Sequence, residues 1–342
     1  MIILFSCVGL IILLYFWSHK KNGNEFRRLV PSHTLTDQTV TDLEYNSFYI
    51  AGKTSQTVYL GNITAPEYVS EHKPATGQLT HYRLTLTNQD MLKREILILA
   101  VDSSGYHLFD GNHSLVLRSA DPGISLNAVH PESLPHFSAF CPLSESSFFL
   151  RIYNGGKKIS SLVKISSFPY AIQENSGLLQ KQVDGLFDVD GMMQYDPDLH
   201  FFIYLYYYRN QFIVSDTNLN LIFRGKTLDS NTTVKFSVAR INHQLASMIS
   251  GPQITINKKL RVDRGLIFIQ SGLISKTEPS DLLKKYAIID VYALKDGVYK
   301  YSFYVPKYQG DEVSDFTVLK DQFIYLSGHS LICYRLNLPG AD

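Results

Sequence analysis

"HFFIYLYYYRNQFIVSDTNLNLIFRGKTLD", residues 200–229, has six aromatics in its first nine positions and carries Gly225-Lys226-Thr227, the tail of a phosphate-binding loop, near its end. It reads as a membrane segment, a nucleotide site or a pair of strands. The apolar run is broken at Arg209-Asn210-Gln211, too early for a span of about 20 residues. A phosphate loop needs glycine at position 220, where Asn220 stands, and a helix after the Lys-Thr pair. The Asp-Ser-Asn-Thr-Thr of 229–233 starts no apolar helical pattern. What remains is period-2 alternation, with a hairpin turn at Asp216 to Asn218 and a returning strand from Leu219 to Arg224. In "YLYYYR" Tyr204, Tyr206 and Tyr208 share one face, and Leu205 and Tyr207 the other. Both faces are apolar or aromatic, as in a strand packed between neighbours rather than an exposed platform.

The same strand opening recurs. "NSFYIAG" at Phe48, "SSFFLRI" at Phe148, "NQFIVSD" at Phe212 and "DQFIYLS" at Phe323 begin alike, with looser copies at Tyr106 and Ile267. These markers lie 58, 42, 64, 55 and 56 residues apart. Most are followed, after a turn, by a second apolar strand. In the fifth unit that partner, "AIIDVYAL" from Ala287, is delayed behind "PSDLLKKYA", the best helix candidate, with Ser280 as its cap. A strand–turn–strand unit repeated six times predicts an all-β fold, a six-bladed β-propeller. The last unit is short, and an open blade would expose a sheet edge. "NEFRRLVPSHTL", Asn24 to Leu35, is expected to supply the missing outer strand.

Composition agrees. Charged residues are 18% and aromatics 13% of 342, with 22 Tyr and 20 Phe, which suits half-buried pleated surfaces. A formal charge of +1 offers no field for nucleic acid, and no nucleic-acid partner is expected. Cys7, Cys141 and Cys333 make no disulfide framework. Cys141 and Cys333 pair only if the domain is extracytoplasmic, and two buried free thiols are the plainer reading.

The N-terminus "MIILFSCVGLIILLYFWSHKK" has no charge before His19, aromatics at Tyr15 and Trp17, and then Lys20, Lys21, Arg27 and Arg28. This predicts a transmembrane helix over 1–18, an uncleaved signal-anchor, since no small-residue cleavage site follows it. Residues 19–40 read as a tether and ring-closing strand, and 41–342 as the propeller domain. The basic flank by itself places the domain in the cytoplasm. A start a few residues upstream carrying Lys or Arg would reverse that.

The patterns "EYNSFYIAG…VYLGN" and "FIVSDTNLNLIFRG" resemble uncharacterised six-bladed β-propeller proteins of Bacteroidetes-type bacteria that have an N-terminal membrane segment. The resemblance covers nearly all of the chain after residue 24. It implies the fold and a periplasmic domain, and brings no catalytic residues with it.

Chemical motifs are sparse. "DGLFDVDGMMQYDPD", Asp184 to Asp198, is acidic. With Gly191 at position 6 of a calcium loop, positions 1 and 12 fall on Leu186 and Pro197, so two ligands are lost. The segment reads as a polar turn entering the inner strand of blade four. His107, His113, His130 and His136 have no metal-ligand spacing, and no nucleophile elbow is present. Asn62, Asn112 and Asn231 open glycosylation sequons that are inert in a bacterium. No catalytic, cofactor-binding or metal-ligating residue is therefore assigned, and no cofactor is expected. The expectation is a membrane-anchored propeller that binds a protein or small ligand on a ring face. The alternative is a metal-assisted hydrolase or lactonase with its site in the central channel.

Overall fold

The alternating runs become strands along the chain. The computed structural model describes residues 25–86, 97–121, 123, 125–129, 134–240, 247–250 and 253–339. The expected membrane helix, residues 1–18, lies outside them. Among the described residues no helix is long and apolar enough to cross a membrane.

In chain order, β1 (Leu35–Asp42) comes first. Then follow β2 (Phe48–Lys53), β3 (Val58–Asn62), β4 (Tyr68–Lys73), β5 (Gln78–Arg83) and the short β6 (Thr85–Leu86). A second run is β7 (Ile98–Asp102), β8 (Gly105–Asp110), β9 (Leu115–Ser119) and β10 (Ser125–Ala128). A third is β11 (Phe137–Ser144), β12 (Ser147–Asn154), β13 (Ile159–Ser167) and β14 (Tyr170–Asn175). A fourth is β15 (Gly191–Asp196), β16 (Phe201–Tyr206), β17 (Gln211–Ser215) and β18 (Leu221–Lys226). After the hairpin β19 (Ser237–Arg240) and β20 (Ser247–Ser250) come β21 (Asn257–Asp263), β22 (Leu266–Ser271), α1 (Leu282–Lys285), β23 (Tyr286–Ala293) and β24 (Tyr299–Pro306). The chain closes with β25 (Val313–Leu319), β26 (Gln322–Ser327) and β27 (Ser330–Leu336).

Within each run, consecutive strands pair antiparallel, except β6, which pairs in parallel with β10. The first two runs are joined into one nine-stranded sheet, where β2 meets β7 in parallel at Gly52 and Val101. A Cβ on Gly52 would lie 1.7 Å from the Val101 carbonyl oxygen, so only glycine permits this approach. The last sheet has the order β1-β27-β26-β25. Its outer strand comes from the other end of the chain, with Leu35 opposite Leu336 and Asp42 opposite Ser330. The closing strand thus lies further along the chain than Asn24 to Leu35, because the preceding residues have another task. The Arg28 guanidinium is buried in the fifth run, donating to Asp290 and Glu278 at 2.7 Å and to Ser271 Oγ at 3.0 Å. The Leu29 carbonyl accepts the Ser302 N–H. Sequence spacing alone made Arg28 a charge flanking a membrane.

The first strands touch in a closed order: β2, β7, β11, β15, β21, β25 and back to β2. Buried apolar clusters fill the spaces between successive runs. Phe149 and Leu162 meet Phe202 and Tyr204, while Ile203 and Leu205 face Leu260 and Ile269. Both faces of β16 are therefore core, and each such phenylalanine contributes about 1.5–3 kcal/mol by leaving water. Leu331 and Ile324 in turn meet Val58 and Leu60, so the last run packs on the first.

The markers do not occupy equivalent strands. Tyr106, Phe148, Ile267 and Phe323 lie on the second strands β8, β12, β22 and β26, but Phe48 lies on the first strand β2 and Phe212 on the third strand β17. That offset produces the uneven intervals, together with the β19–β20 hairpin inserted before β21. The returning strand after Asp216 starts at Leu221 rather than Leu219, since Leu219 takes φ 59° in the turn. The helix candidate shrinks to one turn, capped at Asp281 rather than Ser280 and without a side-chain cap bond.

One buried charge stands alone. Arg209 is 1% exposed, lies 3.6 Å over the Tyr206 ring, and has no hydrogen bond to any guanidinium nitrogen among the described residues. A buried charge held by a ring face alone is expensive. Arg209→Met is expected to raise the urea midpoint by the equivalent of about 1 kcal/mol or more. A midpoint lowered by that amount would show that the guanidinium is well compensated.

Candidate functional site

The first strands end together, and their turns surround a cavity of about 500 Å³. Its walls come from the C-terminal halves of β2, β7, β11, β15, β21 and β25 and the residues just beyond them. Successive strand residues face opposite neighbours, which fills the inter-run spaces with apolar side chains and leaves the strand ends to carry polar ones. The apolar wall includes Val101, Phe140 and Met193.

The charged groups divide by side. On the β21–β25–β2 side every close cation except Lys320 is spent on internal acceptors. The Lys53 ammonium contacts Asp263 and donates to the carbonyls of Val262 at 3.2 Å and Val318 at 2.6 Å. Arg261 donates to Asp315 at 2.7 Å, and Arg264 to the other oxygen of Asp263 at 2.9 Å. Asp315 is held further by the N–H groups of Ile50 and Phe316. Burial pushes the Lys53 ammonium below its ordinary range, against the pull of Asp263.

The β7–β15 side carries Asp102, Asp196 and Asp198, none of which forms an ion pair among the described residues. Asp102 Oδ1 accepts the Ser104 N–H and hydroxyl at 2.8 and 2.6 Å. Asp196 Oδ1 accepts the N–H groups of Asp198 and Leu199 at 3.1 and 2.8 Å. Burial raises the Asp196 carboxyl above the usual range, helped by Asp198 and opposed by those N–H bonds and by Lys53.

Behind this wall His107 is 1% exposed, and its Nδ1 has no partner. Burial pushes it down to about 4, although Asp102 pulls the other way. An unfolded histidine titrates near 6.5, so below that pH the unfolded chain takes up a proton that the folded chain refuses. Stability is therefore lost as pH falls from about 6.5 to about 4, by roughly 3 kcal/mol in all. Urea midpoints across that range are expected to fall less steeply in His107→Gln; identical slopes would contradict the assignment.

The phosphate-loop tail lies elsewhere and is structural, while the acidic segment Asp184 to Asp198 reaches the cavity only with its last residues. Gly225 and Lys226 fall inside β18, with Gly225 opposite Phe212. In the acidic loop, Asp188 accepts the N–H groups of Gln182, Val183 and Gly185, and Asp190 meets Arg151. β15 begins at Gly191, within the segment, and brings its last acids, Asp196 and Asp198, to the cavity wall. Among the described residues no three of His, Cys, Asp and Glu stand close enough to share a metal ion. His113 bonds to Asp110, and His136 Nδ1 lies 3.3 Å from Ser114 Oγ. His130 lies outside the described residues. Cys141 and Cys333 are free and buried.

Most cavity residues escaped sequence reading because only one marker, Phe48, lies on a first strand, and the acidic segment holding Asp196 and Asp198 reads as a turn. One signal was present: Lys53, Asp102, Asp196 and Asp263 each end a first strand, and Lys320 opens the turn after one.

No protein-family model and no curated protein matches the chain. Solved structures do. A member of the DUF4221 family from Bacteroides vulgatus is similar over 93% of this chain and 99% of its own, with 10% identity and a TM-score of 0.56. YCF48 bound to D1 peptide matches 90% of this chain and 100% of that one, with 10% identity and a TM-score of 0.50. A catalytically inactive virginiamycin B lyase from Staphylococcus aureus, with quinupristin, matches 88% and 99%, with 12% identity and a TM-score of 0.50. These are β-propeller proteins, and the likeness establishes that architecture for this all-β chain.

Proposed function

We propose that the chain is a six-bladed β-propeller, held to a membrane by residues 1–18 with its ring in the periplasm, that binds a small ligand or a peptide segment at one mouth of its central channel. The observation that carries the binding reading is the cavity of about 500 Å³ where the six first strands end. Its volume lies in the range of ordinary ligand sites, and it combines apolar walls with a few convergent polar groups. The closed order of first-strand contacts supports the blade count. That YCF48 was solved with a peptide accords with a peptide-sized partner. The fold accommodates the hydrolase or lactonase reading equally, though among the described residues no three of His, Cys, Asp and Glu stand close enough to hold its metal ion.

Filling the cavity tests the proposal. Ala100 lines it on β7. In a thermal-shift screen of a small-molecule library, compounds that stabilise the wild type are expected to lose their effect on Ala100→Trp. Hits that persist in the variant would place binding elsewhere. For the anchor, a C-terminal tag is expected to be digested by protease in cells with a permeabilised outer membrane. A tag that stays protected would put the ring in the cytoplasm.

A further inference from the structure

The N-terminal segment meets the fold on the face that the cavity does not open to. β21 ends at the cavity with Asp263 and β22 runs back from it, so Ser271 and the connection after it lie at the opposite face. That connection holds the start of the described chain. Glu25 pairs with Lys276 on its surface. The buried Arg28 guanidinium donates to Glu278, to Ser271 Oγ and to the Leu273 carbonyl at 3.1 Å. Leu29 then meets Ser302 in β24, and β1 opens at the cavity end, with Leu35 opposite Leu336. From Glu25 to Leu35 the chain therefore climbs toward the cavity face, and what precedes Glu25 departs from the other face. From residue 18 to Glu25 it reaches at most about 25 Å. A folded chain of 342 residues has a radius of gyration of about 20 Å, so this tether is too short to lead around the body to the cavity mouth.

The side chains of that face suit a lipid neighbour. Tyr45 and Ile254 stand just before the first strands β2 and β21, Ile63 just after β3, and Tyr153 near the end of β12. Strand direction puts all four at the end away from the cavity, and all four are exposed. Among the described residues the cavity face carries fewer exposed large apolar side chains. Tyrosine is favoured at the level of lipid headgroups, where its ring meets apolar chains and its hydroxyl meets water.

Resting on the reading of residues 1–18 as a membrane anchor, we propose that the face opposite the cavity lies on the lipid surface and that the cavity opens away from it. Arg28 is the residue that sets this orientation, because it fixes the tether to one face of the fold within a short reach of the anchor. The ligand of the cavity then arrives from the aqueous side, as a soluble molecule or a segment of a soluble protein, and not by lateral diffusion from the bilayer.

The test uses the full chain with Cys7→Ser, reconstituted into vesicles of phosphatidylcholine and phosphatidylglycerol that carry an acceptor dye on a small share of headgroups. Cys141 and Cys333 are buried, so a donor dye goes to one added cysteine. Ile254→Cys and Val298→Cys place it at opposite ends of the fifth run, at two exposed positions. Strands of this length keep the two sites about 20 Å apart, and energy transfer to the headgroups is expected to be about twofold or more stronger from 254 than from 298. Equal transfer would mean that the fold lies on its edge, and stronger transfer from 298 that the cavity faces the lipid; either result overturns the proposal. Weak transfer from both sites in a chain that stays with the vesicles would overturn it too, and would assign the exposed face to a protein partner. A chain that does not float with the vesicles at all would remove the anchor reading, and the orientation with it, while the cavity test with Ala100→Trp would stand unaffected.

Discussion

Arg28→Ala is expected to destabilise the protein by about 3–5 kcal/mol, because it leaves two buried carboxylates without their cation. The Arg28 side chain is 1% exposed, and those of Glu278 and Asp290 are 8% and 4% exposed. Burial disfavours the guanidinium charge, yet Asp290 and Glu278 more than offset this and hold its pKa above the ordinary value. The acids are embedded in turn. Glu278 accepts the Tyr304 hydroxyl and the Ser275 N–H, and Asp290 accepts the Ser302 hydroxyl. Neither carboxylate can swing to water without breaking these bonds. Urea unfolding of the full-length protein reads the loss, and a change below about 1 kcal/mol would mean that the acids find another solution. Combining Arg28→Met with Glu278→Gln and Asp290→Asn is expected to recover most of it, since the net worth of a buried ion pair is far smaller than the penalty of breaking it.

Gly225→Val should cost about 3 kcal/mol or more, while Lys226→Ala should change stability by less than about 0.5 kcal/mol. A Cβ on Gly225 would stand 2.0 Å from Phe212 Cζ. The Phe212 ring is fully buried and hemmed in, with the Phe223 and Tyr292 rings centred 6.2 and 5.9 Å away. It cannot yield to a methyl group without displacing both. Lys226 is exposed at the end of β18. A phosphate loop requires the opposite pattern, with the lysine indispensable for ATP binding. Calorimetric titration of the wild type with ATP is expected to be flat, and a saturable signal lost in Lys226→Ala would revive the nucleotide reading.

The all-β class was legible because pleated alternation and turn residues are local properties, readable in "FIVSDTNLNLIFRG" without knowing its neighbours. The core role of Tyr204 and Tyr206 was legible for the same reason: both faces of their strand are apolar. Strand position within a blade was not. Phe48, Phe148 and Phe212 look alike because each opens an apolar strand that packs on neighbouring strands, half-buried for Phe48 and buried for the other two, and packing rather than rank selects the aromatic. Arg28 was misread because a charge beside an apolar run has the same appearance whether it meets lipid headgroups or a pair of carboxylates some 250 residues away. The place of the cavity acids was hidden for a related reason. Asp102 looks like an ordinary turn residue and Asp196 like one more acid of the Asp184 to Asp198 segment, and only the packing of the first strands brings them to one cavity wall.

The pairing of β1 with β27 also sets an order of events during synthesis. Leu35 leaves the ribosome about 300 residues before the Leu336 that it will face. Until then the first strand of the protein has no edge to join, and the first-made sheets lack the last one against which Val58 and Leu60 pack. Chain entropy alone sets about 5 kcal/mol against bringing such distant segments together. The ring is thus sealed only once the final sheet has been made, and a message truncated within that sheet yields a chain whose N-terminal segments remain exposed to chaperones and proteases.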